Sequence, residues 1–179
     1  MTNAVLTGEV HIGKTTVCRT VADLAVQRGY CVRGILTPPI LDENGVRLGI
    51  EVVDLASGER RELARTDHDL GGPRVGPYRF DPVALQWAQD AVARAIAEGC
   101  DLLIVDEIGR LELEQDNGFN QVLDLLETSV MLRSLLVVRA TLLDAFRRRL
   151  PQLEFITFEL TQHNRDTLSL EIMQRFFLA

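Results

Sequence analysis

Between Val5 and Thr16 the chain reads Val-Leu-Thr-Gly-Glu-Val-His-Ile-Gly-Lys-Thr-Thr. This is a G-x-x-x-x-G-K-T pattern, with Gly8, Gly13, Lys14 and Thr15 in the required places. A short apolar run (Ala4, Val5, Leu6) precedes it. After it Val17, Val21, Leu24 and Ala25 recur at helical spacing until Gly29. Few chains can satisfy this pattern without a strand, a tight loop and a helix in that order. The glycines let successive N–H groups point into one concavity, an anion nest. The helix start adds unpaired amides and the positive end of its dipole. Gly8, Glu9, Val10, His11, Ile12, Gly13, Lys14, Thr15 and Thr16 are therefore the expected phosphate cradle. Lys14 is expected to reach the β- and γ-phosphates, and the Thr15 hydroxyl to bind Mg²⁺. The plainer alternative is a glycine turn capping an ordinary helix; the spacing and the context favour the phosphate loop.

The rest of the chain alternates strand and helix patterns. Cys31 to Thr37 reads as a second strand, cut off by Pro38-Pro39. An Asn44-Gly45 turn, an alternating run from Val46 to Leu55, a Ser57-Gly58 turn and a returning segment Arg60 to Ala64 predict an antiparallel hairpin inserted at about residues 44–65. Residues 66–77 are rich in Gly and Pro and read as a mobile loop. Its Asp67-His68-Asp69 run suggests a metal site, but three consecutive residues of regular structure cannot all face one ion; solvated charge is the better reading.

Asp81 and Pro82 mark the N-cap and first position of a helix running to Glu98, with Trp87 at the edge of its apolar stripe. Leu102 to Val105 is apolar without alternation, as in a strand covered on both faces of a parallel sheet. Helices are expected over Phe119–Leu126, Leu142–Leu150 and Arg165–Phe177, and strands over Leu135–Arg139 and Phe155–Leu160. The pattern predicts an α/β fold in one domain over residues 1–179, its mainly parallel sheet wound right-handedly with helices on both sides.

Composition narrows the function classes. Lys and Arg total 19 against 26 Asp and Glu, a formal net charge of −7, which argues against coating nucleic acid or a membrane surface. A bound polyphosphate needs only local positive potential. Three cysteines without a C-x-x-C pair read as reduced thiols. No apolar run reaches membrane-span length, and the first strand leaves no room for a signal peptide, so a cytoplasmic protein is expected.

A phosphate loop alone binds; hydrolysis needs a metal-holding acid and a group that orients water. The apolar strand at 102–105 ends in Asp106-Glu107, the Walker B pattern followed at once by a second acid. At the carboxyl end of a strand beside the loop strand, Asp106 is expected to hold Mg²⁺ with Thr15. Glu107 is expected to polarise the attacking water, acting in catalysis with Lys14. Two solvated acids at a strand end are the alternative. Asp106-Glu107-Ile108-Gly109 also fits a GTPase D-x-x-G, but no guanine-reading N-K-x-D follows; Asn164-Arg165-Asp166 lacks the lysine and the spacing.

In combination, the phosphate loop, the run Arg47 to Leu55, Arg74-Val75-Gly76-Pro77-Tyr78, Val105 to Leu113 and Asn164-Arg165-Asp166 resemble the THEP-type nucleoside-triphosphatases, which include the cancer-related nucleoside-triphosphatase of animals. The Asp-Glu-Ile-Gly-Arg-Leu-Glu-Leu run is the most diagnostic part. The resemblance implies a three-layer P-loop NTPase fold with a RecA-like core. It also implies slow Mg²⁺-dependent hydrolysis of ATP, GTP and other nucleoside triphosphates, with weak discrimination among bases.

The loop departs from the family's Gly-Pro-Pro-Gly-Val-Gly-Lys-Thr by carrying Glu9-Val10-His11-Ile12, and Glu9 is expected to face solvent, away from phosphate. Arg139, where the family often has a histidine-containing stretch, is a candidate to meet the γ-phosphate. Arg110 occupies the family's basic position after the Walker B turn, to touch phosphate or pair with Glu112. Arg165 is placed to start the last helix and stack on the base. The Arg147-Arg148-Arg149 run fits the basic last turn of a helix better than an arginine-rich lid. Two alternatives stand beside hydrolysis: a kinase acting on a small molecule or nucleic-acid end, and a nucleotide-dependent binding switch.

Overall fold

Strands that read as unbroken apolar runs belong where both faces are covered, and the three most apolar strands here lie side by side. The computed structural model describes residues 2–114, 120–128 and 133–177, with the backbone alone at Glu112, Glu114, Asn120, Gln121 and Thr128. The strands β1 (Asn3–Gly8), β2 (Val32–Leu36), β8 (Leu102–Ile108), β9 (Ser134–Val138) and β10 (Phe155–Leu160) form a parallel group in the order β10-β1-β9-β8-β2. In β1, β8 and β9 the central side chains are at most 1% exposed.

Alternate residues of these strands feed two cores. Val5, Leu103, Val105, Leu136 and Val138 join α2 (Pro82–Glu98), α4 (Asn120–Thr128) and α5 (Leu143–Arg149) on one face. Ala4, Leu6, Leu102, Ile104, Leu135 and Val137 join α1 (Lys14–Gln27) and α6 (Leu168–Phe177) on the other. That is the expected three-layer α/β arrangement.

Lateral order corrects one expectation. The loop strand β1 is not beside β8: β9 lies between, pairing with β1 from Asn3↔Ser134 to Leu6↔Val137 and with β8 from Leu103↔Ser134. Chain order carries no information on this. At one strand spacing of about 4.8 Å per step, the interposed strand sets β8 roughly 10 Å from β1 and delivers its own end, Arg139, into the gap.

The expected hairpin is present as β4 (Arg47–Asp54) and β5 (Arg60–Arg65), but it is not set apart from the sheet. β4 pairs antiparallel with β2 through Ile35↔Asp54 and Leu36↔Val53, so the hairpin prolongs the parallel group into a ten-stranded mixed sheet. Pro38-Pro39 does not end the extended chain either. Pro39 opens a short strand β3 (Pro39–Leu41) on β4, in the first position, where a missing N–H is tolerated.

The segment 66–77, expected to be a loop throughout, contains β6 (Arg74–Val75), which pairs with β7 (Tyr78–Phe80) and through it with β5. Strands of two and three residues are too short to show a period. Within the same segment Asp67 is bound by Arg65 at 2.7 and 2.8 Å, and Asp69 by Arg74 at 2.5 Å, which fits surface charge.

Helix α2 has the predicted bounds, with the Asp81 carboxylate accepting from the Val83 and Ala84 amides. The final helix starts later than expected, at Leu168. Asn164 holds residues 161–167 as a turn: its side chain accepts from the Thr161 amide at 2.8 Å and donates to the Glu159 carbonyl at 2.9 Å. A five-residue helix, α3 (Arg110–Glu114), is too short to have signalled itself. Phe119, the expected start of α4, lies outside the described residues.

Candidate active site

The cradle is shaped by what cannot fit beside it. A Cβ on Gly8, whose φ is 146°, would stand 2.6 Å from the Leu160 carbonyl oxygen of β10, so no side chain is admitted there. Gly13 closes the loop with φ 110° and precedes α1 without any side-chain cap, leaving the helix's first amides to an incoming acceptor. His11, where the family pattern has glycine, keeps φ at 64°. Histidine tolerates this region better than most residues, at a cost of roughly 1–2 kcal/mol. Glu9 is exposed, as expected, and Val10 is 58% exposed beside it.

Lys14 is buried and folded back on the loop, donating from Nζ to the Gly8 carbonyl at 3.1 Å and the Glu9 carbonyl at 2.6 Å. Burial pulls its ammonium below the ordinary lysine value, against the opposing charge of Glu107.

The register of β8 on β9 shifts between Val105 and Ile108, which pair with Leu136 and Val138 respectively. One extra residue is thus accommodated at Asp106-Glu107, and such a bulge re-aims side chains. Asp106 is 1% exposed and accepts from the Thr37 amide at 3.1 Å. The Thr15 and Thr37 side chains also hydrogen-bond to it. Burial nevertheless prevails over these donors and pushes its carboxyl up to about 6. The Glu107 carboxylate accepts from Arg139 Nε at 2.5 Å. His11 is lowered by burial and then by the positive charges of Arg47, Arg139 and Lys14, which marks a concentration of cations here.

These groups line one cleft of about 370 Å³ at the carboxyl ends of the parallel strands. It gathers Val10, His11, Gly13, Lys14, Thr15, Thr16, Asp106, Glu107 and Arg139 of the predicted set. Gly8 lies beneath the loop, and Ile12 packs toward the α1 core. The Thr15 hydroxyl and Asp106 carboxylate are hard oxygen donors in mutual contact at a helix start. Among the described residues no group of three or more His, Cys, Asp and Glu is assembled to hold a metal. Mg²⁺ taken through one carboxylate, one hydroxyl, phosphate oxygens and water needs none, so the donor set fits.

Arg110 and Arg165 are not on the walls of this cleft. Arg110 lines an adjoining cavity of about 290 Å³, and its suggested partner Glu112 has its side chain outside the described residues. Arg165 is exposed in the Asn164 turn and starts no helix, because α6 begins three residues later. Arg147 and Arg149 lie on α5, donating to the Thr157 hydroxyl and to Asp124.

Sequence reasoning missed Thr37, Pro39, Leu41, Gly45 and Arg47 on the cleft wall. For Thr37 a signal existed: ligands of open α/β sheets sit outside the carboxyl ends of the strands, and Thr37 follows one. Arg47 arrives from the start of the hairpin, with no local motif.

Comparison with known proteins gives concordant results. A family model described as NTPase matches residues 3–173. Over 176 residues the chain is 37% identical to the nucleoside-triphosphatase THEP1 of Methanopyrus kandleri, covering 96% of this chain and 93% of that one. Over 169 residues it is 34% identical to that of Methanothermobacter thermautotrophicus, covering 94% and 92%. The solution structure of a human cancer-related nucleoside triphosphatase superposes with a TM-score of 0.77 at 24% identity, covering 100% of this chain and 99% of that one. The crystal structure of THEP1 from Aquifex aeolicus gives 0.75 at 22%, covering 98% and 99%. At those identities the two structures speak to fold.

Proposed function

Because the chain belongs to this NTPase family, that of the THEP1 nucleoside-triphosphatases, we propose that its 370 Å³ cleft hydrolyses nucleoside triphosphates to diphosphate and phosphate. One observation carries the placement: the loop lysine, the Thr15–Asp106 pair and Glu107 converge on a single cleft.

In this reading the α1 amides and the loop bind the phosphates, and Lys14 exchanges its two carbonyl partners for β- and γ-phosphate oxygens. Thr15 and Asp106 hold Mg²⁺, which when bound neutralises phosphate charge. Glu107, once Arg139 turns from it, orients the attacking water and accepts its proton. Arg139 is then free to meet charge developing on the γ-phosphate. Both Lys14 and Glu107 start from occupied states, which supports slow turnover. The polar wall is built of groups that bind phosphate, which supports weak discrimination among bases. We place the reaction in the cytoplasm, in one domain over residues 1–179, without nucleic acid or membrane partners.

The test is phosphate release from ATP, GTP, CTP and UTP with Mg²⁺, wild type beside Glu107→Gln. Hydrolysis of all four by the wild type is expected. The variant should retain nucleotide binding and lose roughly 10²–10⁴-fold in turnover. Wild-type rates in Glu107→Gln would remove Glu107 from its role, and phosphate transfer to added nucleosides or sugars would point to a kinase.

A further inference from the structure

The hydrolytic end of the cleft opens onto a second cavity of different character. It measures about 290 Å³, near the lower end of small-molecule sites, and is walled by Ile50, Leu63, Val75, Tyr78, Phe80 and Leu85. These come from β4, β5, the β6–β7 edge and α2, none of which contributes to the phosphate loop. The two cavities share one wall, formed by Val10, His11, Thr37, Arg47, Glu107 and Arg139, of which Arg47, Glu107 and Arg139 carry charge. Arg47 lies over the Tyr78 ring, 5.7 Å from its centroid. Among the described residues it donates from Nε to the Gly49 carbonyl at 3.5 Å, and no carboxylate pairs with it. An apolar chamber with two aromatic rings, with Arg47 at one end, has the complement of one kind of molecule.

The geometry points to a second binding site, for a one- or two-ring aromatic carboxylate or comparable aromatic anion, filled together with the nucleotide. The rings occupy the apolar chamber against Tyr78 and Phe80, and the anionic group faces Arg47. Ring burial supplies affinity, and the arginine end fixes orientation. The site stands on the cavity whether or not Glu107 is the catalytic base, and its test reads binding alone.

The probe is 2-naphthoate, titrated by amide NMR into the protein saturated with Mg²⁺ and a non-hydrolysable ATP analogue. Saturable binding is expected at a dissociation constant on the order of 1 mM or tighter, the scale for a two-ring ligand. Shifts should centre on residues 75–80 and Leu85. Val75→Trp, at the sheet edge, fills the chamber and should weaken binding at least roughly tenfold while keeping the wild-type circular dichroism spectrum. Arg47→Gln should weaken 2-naphthoate more than neutral 2-naphthalenemethanol. Displacement of the probe by the ATP analogue would overturn the proposal, since the chamber would then belong to the nucleotide. So would non-saturable shifts, or binding indifferent to both substitutions.

Discussion

His11 concentrates the tension between the loop's shape and its sequence. The loop needs a left-handed residue there, and a side chain other than glycine meets the need at 64°. Removing Cβ relieves roughly 1–2 kcal/mol, while the freer unfolded chain takes back roughly 0.5–1. His11→Gly should therefore raise unfolding free energy by about 1 kcal/mol or less, measured by urea denaturation. Loss of stability would mean that the imidazole makes contacts worth more than the strain.

At this scale much of the site was legible. Lys14, Thr15, Asp106 and Glu107 are named by patterns whose spacing the chemistry itself dictates. Thr37 and Arg47 were not, because what brings them in is the pairing of strands distant in sequence. Arg165 does not start the last helix for a related reason: the Asn164 side chain holds residues 161–167 as a turn instead.

Among elements, α2 shows how far local signals go. Asp81, Pro82 and an unbroken apolar stripe define both its ends, and it packs on β2, β4, β5 and β8. Asp81→Ala should cost about 1 kcal/mol of unfolding free energy, since the Val83 and Ala84 amides lose their acceptor. A shift in the urea midpoint with an unchanged slope would be the signature. The short strands β3, β6 and β7 and the helix α3 carry no comparable signal. Their existence depends on β4, β5 and β8 already being in place, so no window of local sequence could have shown them.

At the scale of the whole molecule, the buried Asp106 makes stability depend on pH. Its folded carboxyl titrates near 6, against 3.8 for the free group. Between those values the native state holds a proton that the unfolded chain has released, so stability falls as pH rises from about 4 to about 6. The cost is complete above that, about 3 kcal/mol for a two-unit shift. Urea unfolding of the metal-free protein across this range should show the decline, and Asp106→Asn should flatten it. Mg²⁺ and nucleotide, which bind the native state, should restore stability near neutral pH.

One property of the sheet reaches beyond the finished protein. The strand that carries the phosphate loop is made before every other strand of this sheet, yet both its neighbours, β9 and β10, are the last two made. Asn3 faces Ser134 on one side and Phe155 on the other, and Gly8 rests against Leu160. A nascent chain that has not reached β9 has no neighbour for β1, one that stops short of β10 has β9 alone, and the loop that β1 leads into is fully supported only when β10 is made. Nucleotide can help stabilise the fold only after β9 and β10 have been made. Premature termination before β10 should yield a chain whose nucleotide loop lacks its outer support, however intact its motif.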